Sequence, residues 1–171
     1  SGMGRHLLAT EMLERAVARD PSPEARRALA MSFIAQGKDG NAQSLLEKLF
    51  AANPRDAEAG MALAQMFVRA GDSKRALAVA EGMRKAMPAD LGVANFLGTI
   101  KGATGDRQGA RALYEGLVRI DPKFRPALLN LARLDAADAR FEEGRKRLTA
   151  MLASDSADVS VLCELGLLER Q

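Results

Sequence analysis

Residues 91–124 read LGVANFLGTIKGATGDRQGARALYEGLVRIDPKF, and the order of small, apolar and turn residues in this stretch decides the fold. Leu97 beside Gly98 sets a large side chain next to a vacant position, as a helix does where a neighbour must approach closely. Gly105-Asp106 interrupts the pattern, because glycine closes a helix in the left-handed region at no steric cost. Ala110, Tyr114 and Leu117 then resume it on one helical face, until Pro122, which cannot continue a helix, stops it. The stretch is a helix, a turn and a second helix.

The same features recur in both directions with a period of 34 residues. Pro54, Pro88 and Pro122 share the lattice, as do Gly37, Gly71 and Gly105, and Leu29, Leu63, Leu97, Leu131 and Leu165. Asp56, Asp90 and Asp158 fall where a side-chain acceptor would start the following helix. The second half of each unit carries a small residue (Ala42, Ala76, Ala110, Gly144) and two apolar ones, Leu46 and Leu49 in the first unit. A period shared by several residue types is read before any local propensity. Four units follow, 23–56, 57–90, 91–124 and 125–158, with half units at 5–22 and 159–171. Helices are expected near 5–19, 24–36, 40–52, 58–70, 74–86, 92–103, 108–120, 126–137, 142–153 and 160–170. In the fourth unit Ala139-Arg140 replaces the Gly-Asp turn. In the first half unit Ala9, Leu13 and Ala16 have the small-apolar-small spacing.

Composition agrees. The 171 residues are 47% hydrophobic and only 4% aromatic, so the core is built from Ala, Leu, Met and Val, which suits close-packed helices over strands. One cysteine excludes a disulfide framework, and one cysteine with one histidine leaves almost nothing for zinc. No run approaches the roughly 20 apolar residues of a membrane span. The net charge of +3 is too small for a nucleic-acid stripe. Ser1-Gly2-Met3-Gly4 reads as a cleavage scar, and the half units at both ends read as the marks of excision from a longer array.

The Leu-Gly/Ala pair, the Gly-Asp turn, the Ala-x-x-x-apolar run and the terminal Pro resemble the tetratricopeptide repeat over nearly the whole chain. The resemblance implies an all-α solenoid, a superhelix of antiparallel helix pairs. Two departures stand out. The aromatic late in the first helix is present as Phe33 and Phe67, but Lys101, Asp135 and Glu169 follow at that place, with Ile100, Leu134 and Leu168 as apolar substitutes one step earlier. The large aromatic near the start of the unit is replaced by Arg26, Gly60, Ala94, Leu128 and Leu162.

No residues converge on catalysis, and neither enzyme activity nor a cofactor is expected. His6 has no partner and reads as an exposed helix-start residue. Cys163 reads as a small structural hydrophobe. Gly98, Gly102, Gly105 and Gly109 follow a helix and not a strand, which argues against a phosphate cradle. Asp135, Asp138, Glu142 and Glu143 read as solvated carboxylates, and Arg84-Lys85 and Arg145-Lys146-Arg147 as solvated basic faces without the aromatic platform of single-strand binding.

The family resemblance implies a ligand groove on the first helices, at the places two before and two after the repeated Leu. Those are Arg27 and Met31, Met61 and Gln65, Asn95 and Thr99, Leu129 and Arg133, then Cys163 and Leu167, with Arg69 farther along its helix. Leu129 and Leu167 either face the groove or pack against a twisted neighbour. Arginines around methionines suit an acidic or mixed acidic-apolar peptide. Arg27 and Met31 do not match the Lys/Asn clamp of the chaperone-binding subclass. The run from Leu97 to Asp135, and above all Pro126-Ala127-Leu128-Leu129-Asn130-Leu131-Ala132-Arg133-Leu134-Asp135, resembles bacterial repeat lipoproteins of the exosortase (PEP-CTERM) system. That implies an envelope-anchored, periplasm-facing scaffold in exopolysaccharide production or protein sorting, with periplasmic arms of polysaccharide secretion as the alternative. Two functions stay open: a module that holds a peptide or protein partner in the groove, and an architectural or self-assembling spacer. The last helix is expected to expose Leu165, Leu167 and Leu168 and to make self-contacts.

Overall fold

A computed structural model describes residues 2–153 and 158–169, with side-chain surroundings described from residue 8 onward. The described residues form ten helices: α1 (Gly2–Arg19), α2 (Pro23–Ala35), α3 (Asp39–Ala52), α4 (Ala57–Arg69), α5 (Ser73–Ala86), α6 (Leu91–Ala103), α7 (Arg107–Ile120), α8 (Arg125–Ala137), α9 (Phe141–Leu152) and α10 (Val159–Leu168). Most lie within a residue of the expected bounds; α1 begins three residues early. The chain divides into two compact units, Ser1–Pro88 and Ala89–Gln171. In each, consecutive helices joined by short turns pack as antiparallel neighbours, an all-helical solenoid of repeats.

Local chemistry sets the helix ends. Asp56, Asp90 and Asp158 cap α4, α6 and α10 by accepting the backbone N–H of Ala59, Val93 and Val161, and Asp72 and Asp106 do the same for α5 and α7. Gly37, Gly71 and Gly105 close first helices at φ of 69°, 75° and 96°. Ala139 keeps the lattice conformation with φ 59°, although a Cβ disfavours it there.

The core follows the lattice. Ala42, Ala76 and Ala110, with Leu46, Ala80, Tyr114 and Leu148, are all buried. One pair of places is matched in volume across the interface. Ala30, Ala64 and Ala132 stand sixteen residues before Leu46, Ala80 and Leu148, whereas Gly98 stands sixteen before Tyr114. A Cβ at Gly98 would lie 2.5 Å from Tyr114 Cε1, so the larger ring requires the smaller partner.

Several expectations are corrected. Ala9 and Ala16 are exposed, and α1 instead turns Thr10 inward, where its hydroxyl meets Ser32 Oγ at 2.6 Å. Cys163 is exposed, because α10 is covered along its Val161 and Leu168 side. Leu168 is buried with Ala132, Leu148 and Met151, and Leu165 is half-buried, leaving Leu167 exposed. The side chain of His6 lies outside the described residues.

Candidate functional site

The expected groove positions fall into two sets, one on each unit. On α2 and α4, Arg27 is committed to the fold: its Nη1 donates to both carboxylate oxygens of Asp56 at 2.8 Å and its Nε lies 3.0 Å from Glu58. The hydrogen bond to Asp56 raises the Arg27 pKa against the opposing effect of burial. Met31 is exposed (42%), as are Gln65 and Arg69, while Met61 is half-buried. Gln65 and the Arg69 guanidinium have no hydrogen-bond or ion-pair partner among the described residues.

On α6 and α8, Asn95 is half-buried and its Oδ1 accepts from Asn130 Nδ2 at 3.1 Å. The exposed Thr99 hydroxyl lies 3.3 Å from Tyr114 OH. Burial raises the Tyr114 pKa, with the Thr99 contact working against it. Leu129 is half-buried in the α8–α10 cluster, so packing accounts for it. Arg133 is exposed, with its Nε donating to Glu164 Oε1 at 2.7 Å. Beside that pair, Ala132, Ala136 and Leu167 line a groove of about 460 Å³.

Away from these faces the structure assembles charges that the sequence reading left in solvent. Asp135 is buried, with Oδ1 accepting from Arg111 at 2.6 Å and Oδ2 from Arg147 at 2.8 Å. Arg111 also donates to Asp138 at 2.9 Å, and Arg140 reaches Asp138 at 3.2 Å. Burial acts to lower the Arg111 pKa, but the hydrogen bonds to Asp135 and Asp138 outweigh it and the net shift is upward. The same contacts, Arg111 first, lower the pKa of Asp138. Asp135 is therefore a satisfied internal carboxylate, and Arg147 is half-buried beside it. Arg84 likewise turns back to the carbonyl of Pro88. Asp135 occupies the lattice place of Phe33 and Phe67, which are also buried, but Lys101 and Glu169 at the same place are half-buried and exposed, so the place alone did not mark Asp135 as buried.

Among the described residues no group of three or more His, Cys, Asp or Glu side chains could hold a metal ion, and no helix is long and apolar enough to cross a membrane.

Two tetratricopeptide repeat family models match the chain, over residues 23–66 and 103–162, together more than half of it. No curated protein matches. Among solved structures, a thermophilic repeat protein of Thermus thermophilus superposes with a TM-score of 0.77 at 21% identity, covering 99% of this chain and 93% of that one. A repeat protein of Parabacteroides merdae ATCC 43184 gives 0.78 at 15% identity, covering 98% and 67%. MamA from Desulfovibrio magneticus RS-1 gives 0.69 at 18%, covering 91% and 89%. At these identities the likeness is one of fold, and the fold is one that typically carries no catalysis and mediates protein–protein interaction. With the period, the capped helix pairs and the matched models in agreement, the chain belongs to the tetratricopeptide repeat family.

Proposed function

We propose that the chain is a non-catalytic scaffold that holds a peptide or partner protein against the first helices of its repeats. One observation carries this reading: Met31, Gln65 and Arg69 are exposed on α2 and α4, and the two polar ones are unengaged among the described residues. An adaptable thioether on α2 and a free guanidinium on α4 suit a segment with both apolar and acidic side chains. Arg27 and Arg133 serve it indirectly, since their charges are already met by Asp56 and Glu164. The likeness of the 126–135 stretch to exosortase-system lipoproteins supports an envelope setting, in protein sorting or exopolysaccharide production. Affinity capture with the chain as bait tests the groove. Arg69→Glu and Met31→Glu should each weaken retention by about tenfold or more, the equivalent of roughly 1.4 kcal/mol. Equal retention by both variants and by Arg133→Ala rules the groove out.

A second reading, self-association through the outer helices, is favoured by the exposure of Leu162 (45%) and Leu167 (58%) on α10 and of Leu8 and Met12 on α1. Sedimentation of Leu162→Glu/Leu167→Glu tests it; concentration-dependent association should vanish in this variant and persist in Met31→Glu.

A further inference from the structure

An open cleft of about 850 Å³ lies between the start of α8 and α9. Its floor is apolar, with Met151 buried, Leu128 half-buried and Ala150 exposed. The walls are where the repeat changes its chemistry. One period earlier the corresponding places hold Ala89, Leu91, Ala112 and Leu113; here they hold Lys123, Arg125, Lys146 and Arg147. Four uncharged places have become cationic, whereas one, Gly109 to Glu143, has gained a carboxylate.

The two arginines serve the fold. The Arg125 guanidinium pairs with Asp158, and Arg147 Nε donates to Asp135 Oδ2 at 2.8 Å. The lysines do not. The ammonium groups of Lys123 and Lys146 have no hydrogen-bond or ion-pair partner among the described residues. Glu143 is the one acid among the described lining residues, so the free charges at the rim keep a positive excess. An apolar floor draws an apolar group out of water, and unneutralised cations at its edge select the sign of the groups beside it.

We propose that this cleft docks an acidic segment of a partner protein. Asp or Glu carboxylates of the segment meet Lys123 and Lys146, and an apolar side chain between them lies on Leu128, Ala150 and Met151. The volume is that of a site for a small ligand or a few residues, about 300–1,000 Å³. A floor recessed between two helices is reached by a projecting side chain and not by a planar layer of lipid headgroups. None of these residues belongs to the first-helix positions, so the site stands independently of that groove.

Fluorescence anisotropy of the whole chain with a labelled peptide DEDLDED, against NQNLNQN and DEDGDED, tests the proposal. DEDLDED should bind about tenfold or more tightly than either control and weaken as salt is raised. Lys123→Ala/Lys146→Ala, which restores the residues found one period earlier, should remove that advantage over NQNLNQN, and Lys123→Arg/Lys146→Arg should keep it. Ala150→Glu, at an exposed helical position, should abolish binding, while Arg69→Glu in the other groove should leave it unchanged. Equal affinity for DEDLDED and NQNLNQN overturns the recognition of charge, and equal affinity for DEDLDED and DEDGDED overturns the apolar floor. Indifference to both the lysine and the Ala150 variants overturns the site. Flotation of the chain with phosphatidylglycerol vesicles, without binding of DEDLDED, overturns the peptide in favour of a lipid surface.

Discussion

The second and fourth repeats fill one place in the frame with opposite chemistry. Phe67 is 3% exposed, and its ring lies under the Arg75 guanidinium at 4.0 Å from the centroid. Two periods later Asp135 is 1% exposed and sits between two guanidinium groups. In these two repeats the place is buried and its polarity is left to the neighbours, whereas at the same lattice place Lys101 is half-buried and Glu169 exposed. A ring needs only cover there, whereas a carboxylate needs a donor for each oxygen, which Arg111 and Arg147 supply. The apolar route is self-sufficient; the ionic route ties α8 to α7 and α9 and fails if one member is lost.

The largest effects should come from the place itself. Phe67→Ala should cost about 3–5 kcal/mol through the lost ring and the cavity left behind. Asp135→Ala should cost about 3 kcal/mol by leaving Arg147 without its acceptor and Arg111 with Asp138 alone. The two differ in rescue: Asp135→Leu combined with Arg111→Met and Arg147→Met should recover most of the loss in denaturant melts. If Asp135→Ala melts like the parent, the charge cluster does not support the fourth repeat.

Next in size is the volume match, which contrasts the third repeat with its neighbours. Gly98→Ala should destabilise by about 1–3 kcal/mol through overpacking against Tyr114. Tyr114→Leu, which recreates the Ala–Leu pairing of the first and fourth repeats, should relieve it in the double variant. Thermal melts of the two single variants and the pair decide this.

A smaller, stabilising change is expected at the fourth turn. Ala139→Gly should raise stability by about 1 kcal/mol, since the left-handed conformation costs alanine roughly that much. No gain in melting temperature would mean that the loss of chain entropy on fixing a glycine cancels the relief of strain.

The smallest effect is electrostatic. The folded pKa of Asp138 is lowered, so its contribution is full above the unfolded value, about 3.9, and is lost as pH falls through the folded pKa. Asp138→Asn should therefore flatten the decline in melting temperature below about pH 4 and change little at neutral pH. An unchanged acid slope would show that Asp138 titrates alike in both states.

The helices and their caps were legible because each signal is local and repeated: an aspartate before a helix, a glycine after it and a proline beyond. The members of the ionic cluster were not, because the acceptor on α8 and its donors on α7 and α9 are far apart in sequence. The departure from Phe at position 135 was visible, but only the packed structure shows that the position stays buried. Arg27 misled for a related reason. It has the residue type of a ligand contact, while its partner Asp56 had been assigned only to capping. The exposed thiol of Cys163 depends on which side of α10 is covered, which helical periodicity at the edge of the repeat lattice leaves open.

Asp56 has a consequence for how the first unit unfolds. The same carboxylate starts α4, through the N–H of Ala59, and grips Arg27 on α2. Asp158 repeats the arrangement with Arg125 and the start of α10 in the second unit. Nucleating a helix and docking it on the preceding repeat are therefore a single event at these junctions. In a one-dimensional chain of repeats, this shifts free energy from the individual hairpin to the nearest-neighbour coupling. Amide exchange should then report α2 and α4 opening together, as one cooperative block and not hairpin by hairpin.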